Sequence, residues 1–173
     1  MNDYLAALLF FLPAGIANLT PVLINKVPYV NRWRTALDFG QTWHGKAIFG
    51  ANKTWRGLLS GTVAGGLTAV LVSHLNVNTV VTIAPFWAGC LLGAGALLGD
   101  AVESLFKRAR GLKPGDSWFP LDQIDYILGG LLLIYPFVRL PLWIMVTILV
   151  AYFGLHLLFA YLAHLLGLKD RPI

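Results

Sequence analysis

Apolar runs of about 20 residues constrain this chain most, because that is the length a helix needs to cross the hydrocarbon core of a bilayer. Hydrophobic residues make up 57% of the sequence and charged residues 12%. This balance predicts an all-α integral membrane protein rather than a soluble globular domain. The last apolar run, residues 126–166, is too long for one crossing. We expect it to break at Arg139, which lies between Pro136 and Pro141, since proline interrupts a helix and arginine is costly at mid-bilayer.

The chain is therefore expected to form a single polytopic domain over residues 1–173 with about five transmembrane helices. The expected spans are residues 4–24, 57–75, 80–99, 124–139 and 141–166. The first span lacks a basic leading segment and a small-residue cleavage site, so we interpret it as a retained anchor. The lone Cys90 lies in an apolar run and cannot form an intramolecular disulfide.

Basic residues gather in two segments between the expected spans, residues 25–56 and 107–122. By the positive-inside rule both segments face the cytoplasm, which places the N-terminus outside and the C-terminus inside. The rule also accounts for the net charge of +5. Because the sequence contains no recognisable nucleic-acid-binding module, no nucleic-acid partner is expected. The residues concerned are Lys26, Arg32, Arg34, Lys46, Lys53 and Arg56 in the first segment and Lys107, Arg108, Arg110 and Lys113 in the second.

Small residues at near-helical spacing occur in the second and third expected spans. Such residues let helix backbones approach closely, so they predict helix packing. They are Gly57, Gly61 and Gly65, followed by Gly89, Gly93 and Ala96.

Two carboxylates, Asp122 and Asp125, follow Pro120 at the start of the fourth expected span. Residues three apart share one face of a helix, and carboxylate oxygens suit a hard cation, of which Mg²⁺ fits best. The alternative is that both are ordinary N-terminal acids favoured by the helix dipole.

Asp100 is a further candidate metal ligand, with Glu103 and Ser104 one turn along the same helix. For Asp100 and Glu103 the alternative is salt bridging to Lys107 at helical spacing. Histidine ligation of a metal is not expected, because the four histidines show no zinc-binding spacing. They are His44, His74, His156 and His164.

The segment 107–117 combines four basic residues with a stretch rich in turn formers. Arginine and lysine neutralise phosphate oxygens, and tight turns bring backbone amides towards an anion. Nucleotidyl transfer needs this combination beside a metal, because the enzyme mainly positions the reactants and offsets charge on phosphate oxygens. The turn formers are Gly111, Pro114, Gly115, Asp116 and Ser117.

The first loop carries a second constellation, HGKAIFGANKTWRG, at residues 44–57. Its glycines loosen the backbone and its donors favour a nucleotide or phosphate clamp. It is not a Walker P-loop, because Ala51 follows Gly50 where that motif requires lysine and then serine or threonine. Asn52 and Thr54 could instead cap the second span. The donors are Lys46, Asn52, Lys53, Thr54 and Arg56.

At these residues the chain resembles the membrane cytidylyltransferases that activate lipid phosphates with CTP, in particular their archaeal branch, the CDP-archaeol synthases. The run from Asn52 to Gly57 is similar to the upstream motif of that family. Bacterial relatives carry a His-Gly-Gly element where this chain has Ser117, Trp118 and Phe119, which favours the archaeal branch. The family signature is matched by Lys107, Arg108, Lys113, Gly115, Asp116, Ser117, Pro120, Asp122 and Asp125.

The resemblance implies Mg²⁺-dependent transfer of CMP from CTP to 2,3-bis-O-geranylgeranyl-sn-glycerol 1-phosphate at the cytoplasmic face of the cell membrane. We expect the metal on Asp122, Asp125 and Asp100, and the triphosphate or lipid phosphate on Lys107, Arg108 and Lys113. Asp116 would either bind the metal or orient Lys113. The expected nucleotide-binding residues are Asn52, Lys53, Thr54, Arg56 and Ser117.

Two other functions also use acids in a membrane protein. A CDP-alcohol phosphotransferase binds metal with paired acids, but Tyr126 follows Asp125 where that family has glycine. A cation-coupled transporter could use Asp100 and Asp125, yet transport sites lie near the bilayer midplane, whereas these acids are predicted at the membrane edge.

Overall fold

The computed structural model describes residues 3–43, 45–75, 82–113 and 116–165, and α-helices dominate it. A two-stranded antiparallel hairpin, β1 (Thr42–Trp43) and β2 (Lys46–Ala47), lies between the first two helices. Short 3-10 turns occur at Val30–Arg32 and Tyr135–Phe137. The predicted all-α membrane architecture with five helices is confirmed for the described residues. The helices are α1 (Asp3–Ile24), α2 (Trp55–Ser73), α3 (Pro85–Ala109), α4 (Leu121–Ile134) and α5 (Leu142–Leu165).

Four helices, α1, α2, α3 and α5, are long and apolar enough to cross a membrane. Helix α4 has 14 residues, which gives it a length of about 21 Å. It is therefore shorter than the hydrocarbon core, which is about 30 Å thick. Arg139 lies in the break between α4 and α5, after the 3-10 turn and before Pro141.

Helix α3 extends ten residues beyond the expected span end at residue 99 and carries Asp100, Glu103, Lys107 and Arg108 on helical backbone. Its end is a Schellman motif around Gly111, in which the N–H of Leu112 donates to Lys107 O and the N–H of Gly111 donates to Arg108 O. Gly111 has φ +80°, a conformation that suits glycine. The second polar loop is therefore shorter than the expected 107–122.

Both polar loops lie at one end of the helix bundle, where Lys46 Nζ of the first loop donates to Ala109 O at the end of α3 over 3.1 Å. At the opposite end, Thr82 donates to Phe137 O from both its backbone N–H and its hydroxyl. Residues 76–79, which connect the second and third expected spans, the basic C-terminal residues Lys169 and Arg171, and His44 lie outside the described residues.

Close helix contacts occur where glycine removes a side chain. A Cβ on Gly65 of α2 would lie 2.6 Å from Gly89 O of α3, so the predicted packing of these spans is confirmed. A second glycine contact, not predicted, joins α3 to α4, where a Cβ on Gly99 would collide with Asp125 O. Without water or a hydrophobic driving force between helices, such close approach is a main source of packing energy in a membrane.

Candidate active site

Three carboxylates from α3 and α4 come together near the loop end of the bundle. Asp100 and Glu103, one turn apart on α3, and Asp125 on α4 each place an oxygen within 4.8 Å of the other two. The Gly99 contact holds the backbone of Asp125 against α3 at the level of Asp100. A donor set made only of oxygens fits a hard cation such as Mg²⁺.

Asp122, the other predicted metal ligand, lies beside Glu103 at the edge of this cluster. Its Oδ1 lies 2.7 Å from Lys107 Nζ, and its Oδ2 accepts the backbone N–H of Trp118 at 3.1 Å. Because α4 runs antiparallel to α3, its first turn lies opposite Lys107 and its second turn opposite Gly99 and Asp100. The structure therefore brings oxygens of Asp100, Glu103 and Asp125 together and places Asp122 next to Glu103, where it pairs with Lys107.

Both lysines of the site pair with acids. Lys107 Nζ also lies 3.2 Å from Glu103 Oε1, which is the helical salt bridge foreseen as an alternative for Glu103. For Asp100 that alternative is wrong: its Oδ2 lies 2.5 Å from Nζ of Lys53, which comes from the first loop. The loop and α3 are thus joined by opposite charges at the edge of the acid cluster.

A cavity of about 320 Å³ lies over the acids, between the first loop and the ends of α3, α4 and α5. Helix α5 contributes His156, whose ring centroid is 5.8 Å from that of Tyr126 and which the sequence did not identify. The predicted site residues lining this polar cavity are Asn52, Lys53, Asp100, Lys107, Arg108, Asp122 and Asp125.

Asp38 fixes the rim of the polar cavity at Phe49 and Gly50. This residue was not predicted from the sequence. Its side chain is 8% exposed and accepts the backbone N–H groups of Gly40 and Phe49, each at 2.9 Å, and of Gly50 at 3.2 Å. Burial raises the pKa of the Asp38 carboxyl, but these hydrogen bonds outweigh burial and leave the pKa below its ordinary value. An aspartate just before the turn former Gly40 was the available signal, because aspartate commonly accepts the backbone N–H two residues on.

Arg56 and Thr54, both predicted to bind nucleotide, build the loop instead. Arg56 is 5% exposed; its guanidinium donates to Val30 O at 3.0 Å and to the side-chain oxygens of Asn31 and Asn25. Thr54 caps α2, with its hydroxyl oxygen accepting the N–H of Gly57 at 3.2 Å, as its alternative role foresaw. Neither residue is among the described residues that line the polar cavity.

The second loop places its predicted residues at the surface. Asp116 accepts the backbone N–H of Lys113 at 2.7 Å, and Lys113 O accepts a hydrogen bond from Arg108 Nη2 at 2.9 Å. Lys113, Asp116 and Ser117 are exposed and lie outside the described lining of the polar cavity, and Gly115 falls outside the described residues. Asp116 therefore orients the Lys113 backbone.

An apolar groove of about 670 Å³ runs between α3 and α4 beside the polar cavity. Both spaces are bounded by Glu103 and Asp125. Large hydrophobic side chains that are exposed on the helix surface form much of its wall, so a bilayer would reach it from the side. They are Leu98, Val102, Phe106, Leu128 and Leu132.

Known proteins are similar to this chain in sequence and in fold. The CarS-like family model, described as CDP-archaeol synthase, matches residues 1–173. The chain belongs to the CDP-archaeol synthase family. A CDP-archaeol synthase of Thermofilum pendens is 37% identical over 169 residues, covering 96% of this chain and 79% of that protein. One from Pyrococcus furiosus is 36% identical over 142 residues, covering 82% and 81%.

A solved structure described as an intramembrane enzyme for archaeal membrane lipid biosynthesis is similar throughout. Its TM-score is 0.73 at 32% identity, with coverage of 87% of this chain and 90% of that one. The resemblance drawn from residues 52–57 and 107–125 is confirmed. This member of the CDP-archaeol synthase family is a multi-pass membrane nucleotidyltransferase, which leaves the phosphotransferase and transporter alternatives without support.

Proposed function

We propose that the chain transfers CMP from CTP to 2,3-bis-O-geranylgeranyl-sn-glycerol 1-phosphate, an unsaturated archaeal ether-lipid phosphate, giving CDP-archaeol and pyrophosphate. One observation carries this proposal: the polar cavity and the apolar groove share Glu103 and Asp125. A water-soluble nucleotide and a two-chain lipid must meet at one phosphorus atom. The shared acids mark the place where both can reach it.

In the proposed reaction an oxygen of the lipid phosphate attacks the α-phosphorus of CTP. A new P–O bond forms, the bond from the α-phosphorus to the oxygen bridging to the β-phosphorus breaks, and pyrophosphate leaves with that electron pair. No protein nucleophile is required. The attacking phosphate is already ionised near neutral pH, so the reaction scarcely needs a general base.

Asp100, Glu103 and Asp125 are the residues that would hold Mg²⁺, because their oxygens converge and suit that ion. When bound, Mg²⁺ offsets negative charge on the triphosphate and the leaving pyrophosphate. Asp122 acts through Lys107, holding its ammonium group beside the cavity.

The cations of the polar cavity are proposed to bind the triphosphate. Lys107 and Arg108 face it from α3, and Lys53 and Asn52 face it from the first loop. Lys53 bridges loop and helix through Asp100, so nucleotide binding and the placement of the acids are coupled.

The site is proposed to face the cytoplasm, which supplies CTP. Lysine and arginine crowd both loops at the site end, whereas Arg139 is the one lysine or arginine at the other end within the described part of the chain. Fifteen residues separate Asp100 from Pro85, which places the acids about 22 Å along α3. Because the hydrocarbon core is about 30 Å thick, acids at that depth lie below the membrane surface, where lipid can enter sideways.

The test is pyrophosphate release by protein purified in detergent, with CTP, ATP, GTP or UTP, with and without Mg²⁺, and with and without the ether-lipid phosphate. Release that requires CTP, Mg²⁺ and lipid together is expected. Release without lipid, or equal release from all four nucleotides, would contradict the proposed substrates. Folded protein that releases none in any combination would contradict the proposed reaction.

A further inference from the structure

We infer that Arg110, stacked over Trp118 at the loop end of the apolar groove, binds the phosphate of the lipid substrate, while Lys107 and Arg108 bind CTP. This inference rests on the proposed function and divides the basic residues at the end of α3 between the two substrates. Sequence alone left these residues as one cluster of positive charge.

The basic residues at the end of α3 point to two different spaces. Lys107 and Arg108 line the polar cavity, whereas Arg110 lines the apolar groove. Helical spacing explains the division, because Arg110 is four residues beyond Phe106 and seven beyond Glu103, both of which also line the groove. Arg110 is the basic residue of the groove among the residues that the structure describes.

The groove needs a cation if it is to receive a phosphate. Two carboxylates, Glu103 and Asp125, border it and would repel a doubly charged headgroup. Lys107 and Lys53 face the polar cavity, where Lys107 pairs with Glu103 and Asp122 and Lys53 pairs with Asp100, and neither is in the described lining of the groove. Within the described part of the chain, Arg110 forms no ion pair with a carboxylate, so its charge is not offset in this way.

Trp118 fixes the Arg110 side chain. The guanidinium carbon lies 4.4 Å from the ring centroid, which is cation–π distance. Contact through the flat face of the guanidinium would leave its N–H groups in the plane, where a phosphate can accept two hydrogen bonds at once.

The dimensions match a lipid whose chains lie along the groove. Arg110, at the C-terminal end of α3, and Glu103 line the same groove. Seven residues correspond to about 10 Å along the helix, a distance that an arginine side chain spans in large part. A phosphate held by Arg110 would therefore lie at the mouth of the polar cavity, with its chains against Leu128 and Leu132.

The experiment compares Arg110→Ala with the matched variant Arg108→Ala by titrating each substrate at saturation of the other. For Arg110→Ala we expect the KM for the lipid phosphate to rise about 10- to 100-fold, as for loss of a hydrogen-bonded charge, with the KM for CTP changed less than about twofold. For Arg108→Ala we expect the reverse pattern. Equal rises in both KM values for Arg110→Ala, or a rise for CTP alone, would overturn the inference and leave the proposed function standing.

Two further variants separate binding from support. Arg110→Lys keeps the charge but loses the planar fork, so the lipid KM should lie between those of the wild type and Arg110→Ala. Trp118→Leu keeps an apolar contact but removes the ring, and a rise in lipid KM of about threefold is expected from the lost cation–π contact. If Arg110→Lys has the wild-type KM for the lipid phosphate and Trp118→Leu does not change that KM, then stacked, bidentate binding is wrong.

Equilibrium binding without CTP tests the same inference independently of turnover. The probes are the di-isoprenoid glycerol 1-phosphate and the matching diether alcohol, each in detergent micelles. Arg110→Ala should weaken binding of the phosphate and leave binding of the alcohol unchanged. If both probes weaken equally, Arg110 shapes the groove and does not bind phosphate. If the wild type binds the phosphate but releases no pyrophosphate from CTP, the proposed reaction fails while the inference about Arg110 is still decided by this comparison.

Discussion

The two walls of the polar cavity are held in place by opposite means. The helical wall is formed by Asp100, Glu103 and Asp125. Close packing of α4 against α3 positions it, because Gly99 has no side chain to keep the α4 backbone away. The loop wall, residues 49–53, is positioned by a buried ion, because Asp38 collects the N–H groups at its start. Helices in a membrane satisfy their own backbone and need only close contact, whereas a loop needs a partner for each buried N–H. One cavity therefore depends on two unrelated kinds of sequence signal.

Removing charge from the helical wall should have the largest effect. In Asp125→Asn the carboxylate cluster loses one member while shape is kept, and turnover of CTP with lipid phosphate should fall roughly 10²- to 10³-fold, as for several kcal/mol of lost charge stabilisation. The measurement is kcat in detergent. Asp3→Asn, at the far end of α1, is the control and should match the wild type. Near-normal turnover by folded Asp125→Asn would remove the helical wall from the chemistry.

Adding a methyl group to the helical wall should have the next largest effect. In Gly99→Ala the new Cβ would collide with Asp125 O, so α4 and its carboxylate must shift. Small displacements of reacting groups are costly, and we expect kcat to fall about tenfold or more. Thermal stability and kcat should both be measured, so that a loss of turnover can be distinguished from a loss of folded protein.

Two glycines provide matched controls for that variant. Gly65→Ala makes a similar collision, 2.6 Å from Gly89 O, but far from the acids. It should lower stability by about 1–3 kcal/mol, as overpacking does, with kcat per folded molecule nearly unchanged. Gly154 lies inside α5 with open space beside it, so Gly154→Ala should leave kcat unchanged and should not lower stability, because alanine favours a helix more than glycine does. Equal losses of kcat in Gly99→Ala and Gly65→Ala would show that the α3–α4 contact has no special bearing on the site.

Local sequence patterns sufficed for the helices and for the polar residues that share a motif. The length of the apolar runs, together with Arg139 and its prolines, predicted the five helices, and the motif around Lys107 and Asp125 predicted much of the cavity lining. Thr54 also took the capping role that its position beside α2 allowed.

The remaining residues of the site depend on tertiary contacts that no local pattern contains. Glu103 joins the acid cluster, and Asp122 lies at its edge paired with Lys107, because of the register in which α4 packs against α3. That register is set by glycines on two helices whose pairing is visible only in space. His156 lines the cavity from α5, more than thirty residues beyond the motif. Arg56 forms hydrogen bonds within the first loop, and the motif that contains Arg56 does not predict those contacts.

The substitution in the loop wall should have the smallest effect of the three. It is also the one whose effect on stability is expected to depend strongly on acid pH. In Asp38→Asn the amide cannot accept all three N–H groups as a carboxylate does, so stability should fall by about 1–3 kcal/mol at neutral pH, with a modest rise in the KM for CTP.

Because the pKa of Asp38 is lowered in the folded chain, its stabilising contribution is complete well above the unfolded value of about 4 and is lost as pH falls through the folded pKa. The gap in thermal midpoint between wild type and Asp38→Asn should therefore be constant near neutrality and narrow below about pH 4. The corresponding gap for Gly65→Ala should stay constant over the same range, since the contact it disturbs carries no charge. A gap for Asp38→Asn that does not narrow would mean that the loop wall is held by shape, like the helical wall, and the contrast between them would be lost.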